Sequence, residues 1–322
     1  MSESSETNAY IEYGTKPFYA ILLSLFLAGF AIFSSLYCVQ PMMPFLARFF
    51  HVSATQSSFP LSFSTSALAL GVLFAGIISD RYGRKNIMVI ALFSTALLLL
   101  LSVAFPRWEV FLVTRLLVGL AVSGVASVAM TYIGEEIAQQ DVGFAMGLYI
   151  SGTAIGGMSG RLITGVMLDF TTWQMATLLI GAINVLIAFV FYLALPASKH
   201  FVAVRLSRDL MGKALRGTLA DRQLRLLFLQ GFILMGCFVS VFNYMSYHLL
   251  EQTWIGLISI AYLSGIYSSP RAAAWSRKYG RGRVIFYMLI SMLIGLWVMR
   301  FETVGLILLG LVIFTFSFFA AH

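Results

Sequence analysis

Long apolar runs separated by short polar loops dominate this chain. Ten runs are candidate membrane helices: about 18–37, 57–79, 86–105, 110–133, 143–167, 173–195, 224–247, 254–270, 284–299 and 303–321. A hydrocarbon core of about 30 Å needs roughly 20 apolar residues in helical form. No run alternates with period two, so the pattern predicts a helical bundle rather than a barrel. The one long polar interruption divides the chain into a tail (1–17), a six-helix bundle (18–195), a linker (196–223) and a further four helices (224–322). Within the linker, Leu206 to Leu219 reads as an interfacial amphipathic helix. The predicted fold class is all-α, a polytopic membrane bundle.

Composition supports this reading. Of 322 residues, 60% are apolar and 11% charged, where soluble chains carry about a quarter charged. The net charge of +8 would suggest nucleic acid on a soluble protein. Here the bases sit in short loops between apolar segments, so no nucleic-acid partner is expected; the lipid bilayer is. With the N-terminus inside, 16 of the 21 Lys and Arg fall on inner loops, and three (Arg48, Arg107, Arg300) fall outside. A cytoplasmic N-terminus follows. The first apolar run is too long and bulky for a cleaved signal peptide, which predicts a retained anchor. Cys38 and Cys237 have no partner at metal-ligand spacing. Neither HExxH, GxSxG nor a Walker loop occurs, so no enzyme, metal or cofactor is predicted.

One loop breaks the apolar monotony. GIISDRYGRKN, residues 76–86, places Asp80, Arg81, Arg84 and Lys85 between two long apolar runs. Its core DRYGR (80–84) returns as RKYGR (277–281), an offset of 197 residues. A repeat at that distance implies two copies of one bundle. Adding the offset to the end of the sixth run predicts a complete second half ending at about residue 390, which makes the second bundle incomplete, truncated after its tenth helix.

These residues resemble a known family. GIISDRYGRK resembles the loop motif of the major facilitator superfamily, Gly-x-x-x-Asp-Arg-x-Gly-Arg-Lys/Arg, filled here by Gly76, Asp80, Arg81, Gly83, Arg84 and Lys85. Arg115 with Gly119 in TRLLVGL resembles the fourth-helix arginine motif of its proton-coupled exporters, and SLYCVQPMMPFL resembles the bacterial drug or sugar efflux permeases. The resemblance implies a major facilitator fold in a bacterial inner membrane, working as a monomer. It implies export of a small-molecule substrate, drug-like or sugar-like, coupled to protons by alternating access. Uptake by a proton symporter and a truncated, non-transporting product are the alternatives. The loop motif then becomes a gate in which Asp80 and the adjacent arginines bind across the halves in one state and release in the other. Its second copy is Arg277, Lys278, Gly280 and Arg281, with Arg277 where the acid stands in the first and Ala273 replacing the leading glycine.

Further residues take roles from the same resemblance. Gly152, Gly156, Gly157 and Gly160 in the fifth run form a seam expected between the halves; a four-residue spacing stacks such glycines on one face. The stretch GTAIGGMSGR lacks the proline that follows a glycine in the drug antiporters. Arg115 and Arg161 lie inside apolar runs. A buried arginine costs at least about 2.5 kcal/mol, so the pair is assigned to proton coupling or a cavity charge, against the alternative that both reach headgroups. Tyr37, Gln40, Gln230 and Asn243 are the substrate-cavity candidates, against the commoner role of interhelical hydrogen bonding. Glu135 and Glu136 are expected to pair with Arg81 or Arg84.

Overall fold

A computed structural model of the protein describes residues 10–201, 217, 220–249, 258, 261–301 and 303–321. Within them the chain is a helical membrane bundle. The helices are α1 (Lys16–Tyr37), α2 (Val39–Phe50), α3 (Phe59–Tyr82), α4 (Arg84–Ala104), α5 (Trp108–Ala126), α6 (Ala129–Glu136), α7 (Val142–Phe170) and α8 (Trp173–Ala194), followed by α9 (Arg222–His248), α10 (Tyr262–Tyr279), α11 (Arg281–Val298) and α12 (Val304–Ala321). Two compact units result: Met1–Met167 with Thr171–Leu206, and Leu168–Phe170 with Ser207–His322.

Nine spans among the described residues are long and apolar enough to cross a membrane. Two are built from paired helices. α1 and α2 together cover Lys16–Phe50, and α5 and α6 together cover Trp108–Glu136. The first span therefore does not end at 37. Its helix is interrupted at Cys38 and resumes through QPMMPFL, with Pro44 inside α2. The predicted eighth span (254–270) and the helix Leu206 to Leu219 lie largely outside the described residues. In that region α10 runs to Tyr279, beyond the predicted edge, and carries Arg271, Arg277 and Lys278.

Local chemistry sets the starts. Thr15 caps α1, its hydroxyl accepting from the Phe18 N–H at 3.3 Å, with Pro17 in the first turn; this is the position where a missing N–H costs nothing. Thr172 and Asp221 cap α8 and α9 in the same way. In the first unit α5 packs against α3 and α4, α4 against α8, and α1 against α5 and α8; in the second, α12 packs against α10 and α11.

The expected glycine seam is a site of close backbone approach to α1. A Cβ on Gly160 would sit 2.6 Å from the Ser34 carbonyl oxygen, and one on Gly152 or Gly156 would strike the backbone of Phe26 or Phe30. All three partners lie on α1, inside the same unit. The seam packs α7 against α1 within the first unit, because the four-residue spacing presents a bare backbone to whichever helix is nearest. Gly157 lies beside it, facing Tyr37 and Arg161.

Candidate functional site

Two polar centres stand out in the first unit. The first is the loop between α3 and α4. Gly83 has φ 91° and ψ 145°, a conformation open to glycine and strained for any residue with a Cβ. It closes α3, its N–H bonding the Ser79 carbonyl at 3.0 Å, and it precedes the first residue of α4. That sharp turn brings Arg84 back beside Asp80. One Arg84 nitrogen (Nη1) reaches the Asp80 carboxylate at 2.5 Å and the Ser79 hydroxyl at 2.6 Å. The other edge donates twice to Glu135 on α6, at 2.7 and 3.1 Å. Arg84 is 6% exposed, so it is a buried cation satisfied by two carboxylates and a hydroxyl. Of the two pairings expected for Glu135, the one to Arg84 is present.

Arg81 and Lys85 do something else. Neither forms an ion pair among the described residues. Arg81 lies over the Tyr82 ring at 5.4 Å, and Lys85 lies 5.6 Å from the Tyr192 ring while donating to the Leu195 carbonyl at 2.5 Å. Gly76 has open space where a Cβ would be added. Three further contacts that sequence reasoning missed tie down this end of the bundle. Tyr132 donates to the Pro196 carbonyl at 2.9 Å, buried Glu136 accepts the His200 N–H at 3.0 Å, and the Ile11 N–H bonds the Glu136 carbonyl at 2.9 Å.

The second centre is the interruption of the first span. Arg115 on α5 is 2% exposed and donates to the Ser35 and Leu36 carbonyls at 2.9 and 2.8 Å. Those carbonyls lie in the last turn of α1, where a helix end leaves acceptors short of donors. Arg161 on α7, 4% exposed, reaches the same region from the other side. It donates to the Gln40 side chain and, at 2.7 Å, to the Gly157 carbonyl, and it lies 3.9 Å above the Tyr37 ring. Asn184 on α8 completes the cluster, donating to the Ser35 hydroxyl at 2.5 Å. Both arginines are thus buried on the break and do not reach outward to headgroups. In an apolar interior such cations persist only where oxygens replace their water, and the broken helix supplies these.

Tyr37 and Gln40 therefore share one cluster. The cavity candidates of the second unit do not share a level: Gln230 and Asn243 are thirteen residues apart on α9, about 20 Å along a helix axis. A single small-molecule site could touch one of them. In the second-copy motif Gly280 repeats the turn of Gly83, with φ 87° and ψ 139° and an N–H bond to the Ser276 carbonyl at 3.0 Å. Arg277, Lys278 and Arg281 around it are exposed and form no ion pair among the described residues.

Bundled apolar spans, a charged loop at their ends and buried arginines on a discontinuous helix are features of a membrane transporter. The profile of the Major Facilitator Superfamily matches residues 25–322, and the chain belongs to that family. It is 46% identical over 289 residues to Inner membrane transport protein YnfM of Escherichia coli, covering 88% of this chain and 69% of that protein. It is 42% identical over 314 residues to an uncharacterized transporter of Buchnera aphidicola subsp. Schizaphis graminum, covering 96% of this chain and 76% of that one. Among solved structures it superposes, with a TM-score of 0.77 and 15% identity, on a bacterial homologue of the human lysosomal transporter Spinster, covering 96% of this chain and 74% of that chain.

Proposed function

We propose that the chain is a secondary active transporter that exports small molecules, drug-like or sugar-like, by proton-coupled alternating access. The broken first span carries this reading. Discontinuous helices with polar groups at their interrupted ends are how membrane transporters bring backbone and side-chain donors to a solute at depth. Here the interruption gathers Tyr37, Gln40, Arg115, Arg161 and Asn184. On this reading Arg161, Gln40 and Tyr37 meet the substrate, with Asn243 the candidate from the second unit. Arg115 holds a fixed positive charge on the break and biases protonation nearby without itself carrying the proton, since a guanidinium stays charged. Asp80, Arg84 and their neighbours act as the gate. The excess of Lys and Arg on the loops of the motif side puts those loops and the N-terminus in the cytoplasm of a bacterial cell. The chain works as a monomer.

The test is flux in proteoliposomes loaded with a fluorescent drug-like dye or a labelled sugar. An imposed proton gradient should drive solute against the proton flow, a protonophore should abolish the effect, and Arg161→Gln should slow it about tenfold, one hydrogen-bonded charge removed from the solute path. Movement of solute with the protons would make the chain an uptake symporter. Absence of gradient-driven flux in either direction would sink both readings.

A further inference from the structure

We infer that the first-unit loop holds an anionic phospholipid in a groove between α3, α4 and α8. The observation behind it is how the charges of GIISDRYGRKN divide. Arg84 takes both neighbouring carboxylates, Asp80 and Glu135. Arg81 and Lys85 form no ion pair among the described residues, and each lies beside a tyrosine ring, at 5.4 and 5.6 Å. At Lys85 opens a groove of about 520 Å³, lined by Ile78, Tyr82, Lys85, Asn86, Ile90 and Tyr192 among others; Arg81 adjoins it through its neighbour Tyr82. Tyr82 and Tyr192 are half-exposed, and so are Ile78 and Ile90.

The groove has a graded chemistry. Its isoleucine wall belongs to membrane-crossing helices, so it faces acyl chains; its rim is aromatic, as is usual where a span meets the headgroup layer. The charged end is Lys85, whose ammonium has three N–H groups and gives one to Leu195. Two remain for a phosphate oxygen, and Arg81 beside Tyr82 adds a second positive charge to that rim. A soluble anion would use the base and leave the apolar slot without purpose. A zwitterionic lipid would bring its own ammonium against Arg81 and Lys85. A lipid with a net negative headgroup, such as phosphatidylglycerol, satisfies both ends: an acyl chain in the slot and the phosphate at Lys85.

The purified full chain in detergent, mixed with equal amounts of labelled phosphatidylglycerol and phosphatidylcholine of the same acyl length and then separated by size exclusion, reads this directly. Phosphatidylglycerol should be retained in preference. Lys85→Gln and Arg81→Gln should each lower that preference about fivefold, the effect of one base near an anionic surface, while Arg300→Gln should leave it unchanged. Ile90→Trp, which fills the slot and keeps both charges, should reduce retention of both lipids. Equal retention of the two lipids by the native chain would overturn the inference. So would a preference unchanged in Lys85→Gln, total retention unchanged in Ile90→Trp, or displacement of the lipid by millimolar inorganic phosphate.

Discussion

The loops after α3 and after α10 are two copies of one sequence, and they share a backbone but not a charge network. Both turn on a glycine, Gly83 at φ 91° and Gly280 at φ 87°, 197 residues apart, and in both the glycine N–H bonds a serine carbonyl four residues back at 3.0 Å. In the first copy the arginine after the glycine is buried between Asp80 and Glu135. In the second the corresponding Arg281 is exposed, and the position of Asp80 is taken by Arg277. Backbone shape and electrostatics are thus separable: the glycine sets the turn in each copy, and the arginine that follows is buried in the copy where Asp80 and Glu135 receive it.

Six substitutions would break or sharpen that comparison. Arg84→Ala strands two carboxylates at a buried site and should cost about 3 kcal/mol, read as lost thermal stability in detergent, whereas Arg281→Ala should stay within about 0.5 kcal/mol. A large loss at Arg281 would show that the second copy holds its arginine as the first does. Alanine at Gly83 and at Gly280 should each cost about 2 kcal/mol, because both backbones sit where a Cβ is strained; unequal losses would mean that the two turns are not equivalent. Asp80→Asn keeps Glu135 and should cost about 1.5 kcal/mol. In the opposite direction, Arg277→Asp rebuilds the missing acid four residues before Arg281 and should gain roughly 0.2–1 kcal/mol. A loss there, measured in the same unfolding series, would count against the acid as the difference between the copies.

Much of the architecture was legible in the sequence, since hydropathy reports burial in lipid and eight of the nine spans identified so begin and end within a few residues of the runs. The ninth, the first span, was misread at its far end. The run through SLYCVQPMMPFL loses apolar weight at Gln40 and contains Pro41 and Pro44. The helix continues to Phe50 because Arg115 reaches across from α5 and satisfies the carbonyls of the interrupted turn. The two prolines were the available signal for a break rather than an end. The glycine seam was legible as a close approach but not as to its partner, because spacing shows which face is bare and not which helix meets it.

The sequence by itself determined the membrane class, eight of the nine spans, the repeat and its turning glycines, and the family, since each depends on local composition or on fixed spacing along the chain. Tertiary structure decided what the charged groups do. Arg84 rather than Arg81 or Lys85 takes the acids, Arg115 and Arg161 meet on one broken helix, and the fifth-run glycines face α1. Those outcomes depend on which helices become neighbours. In an interior without water a charge goes to the oxygens that packing provides, and these include Glu135, 51 residues from Arg84, and the Ser35 carbonyl, 80 residues from Arg115.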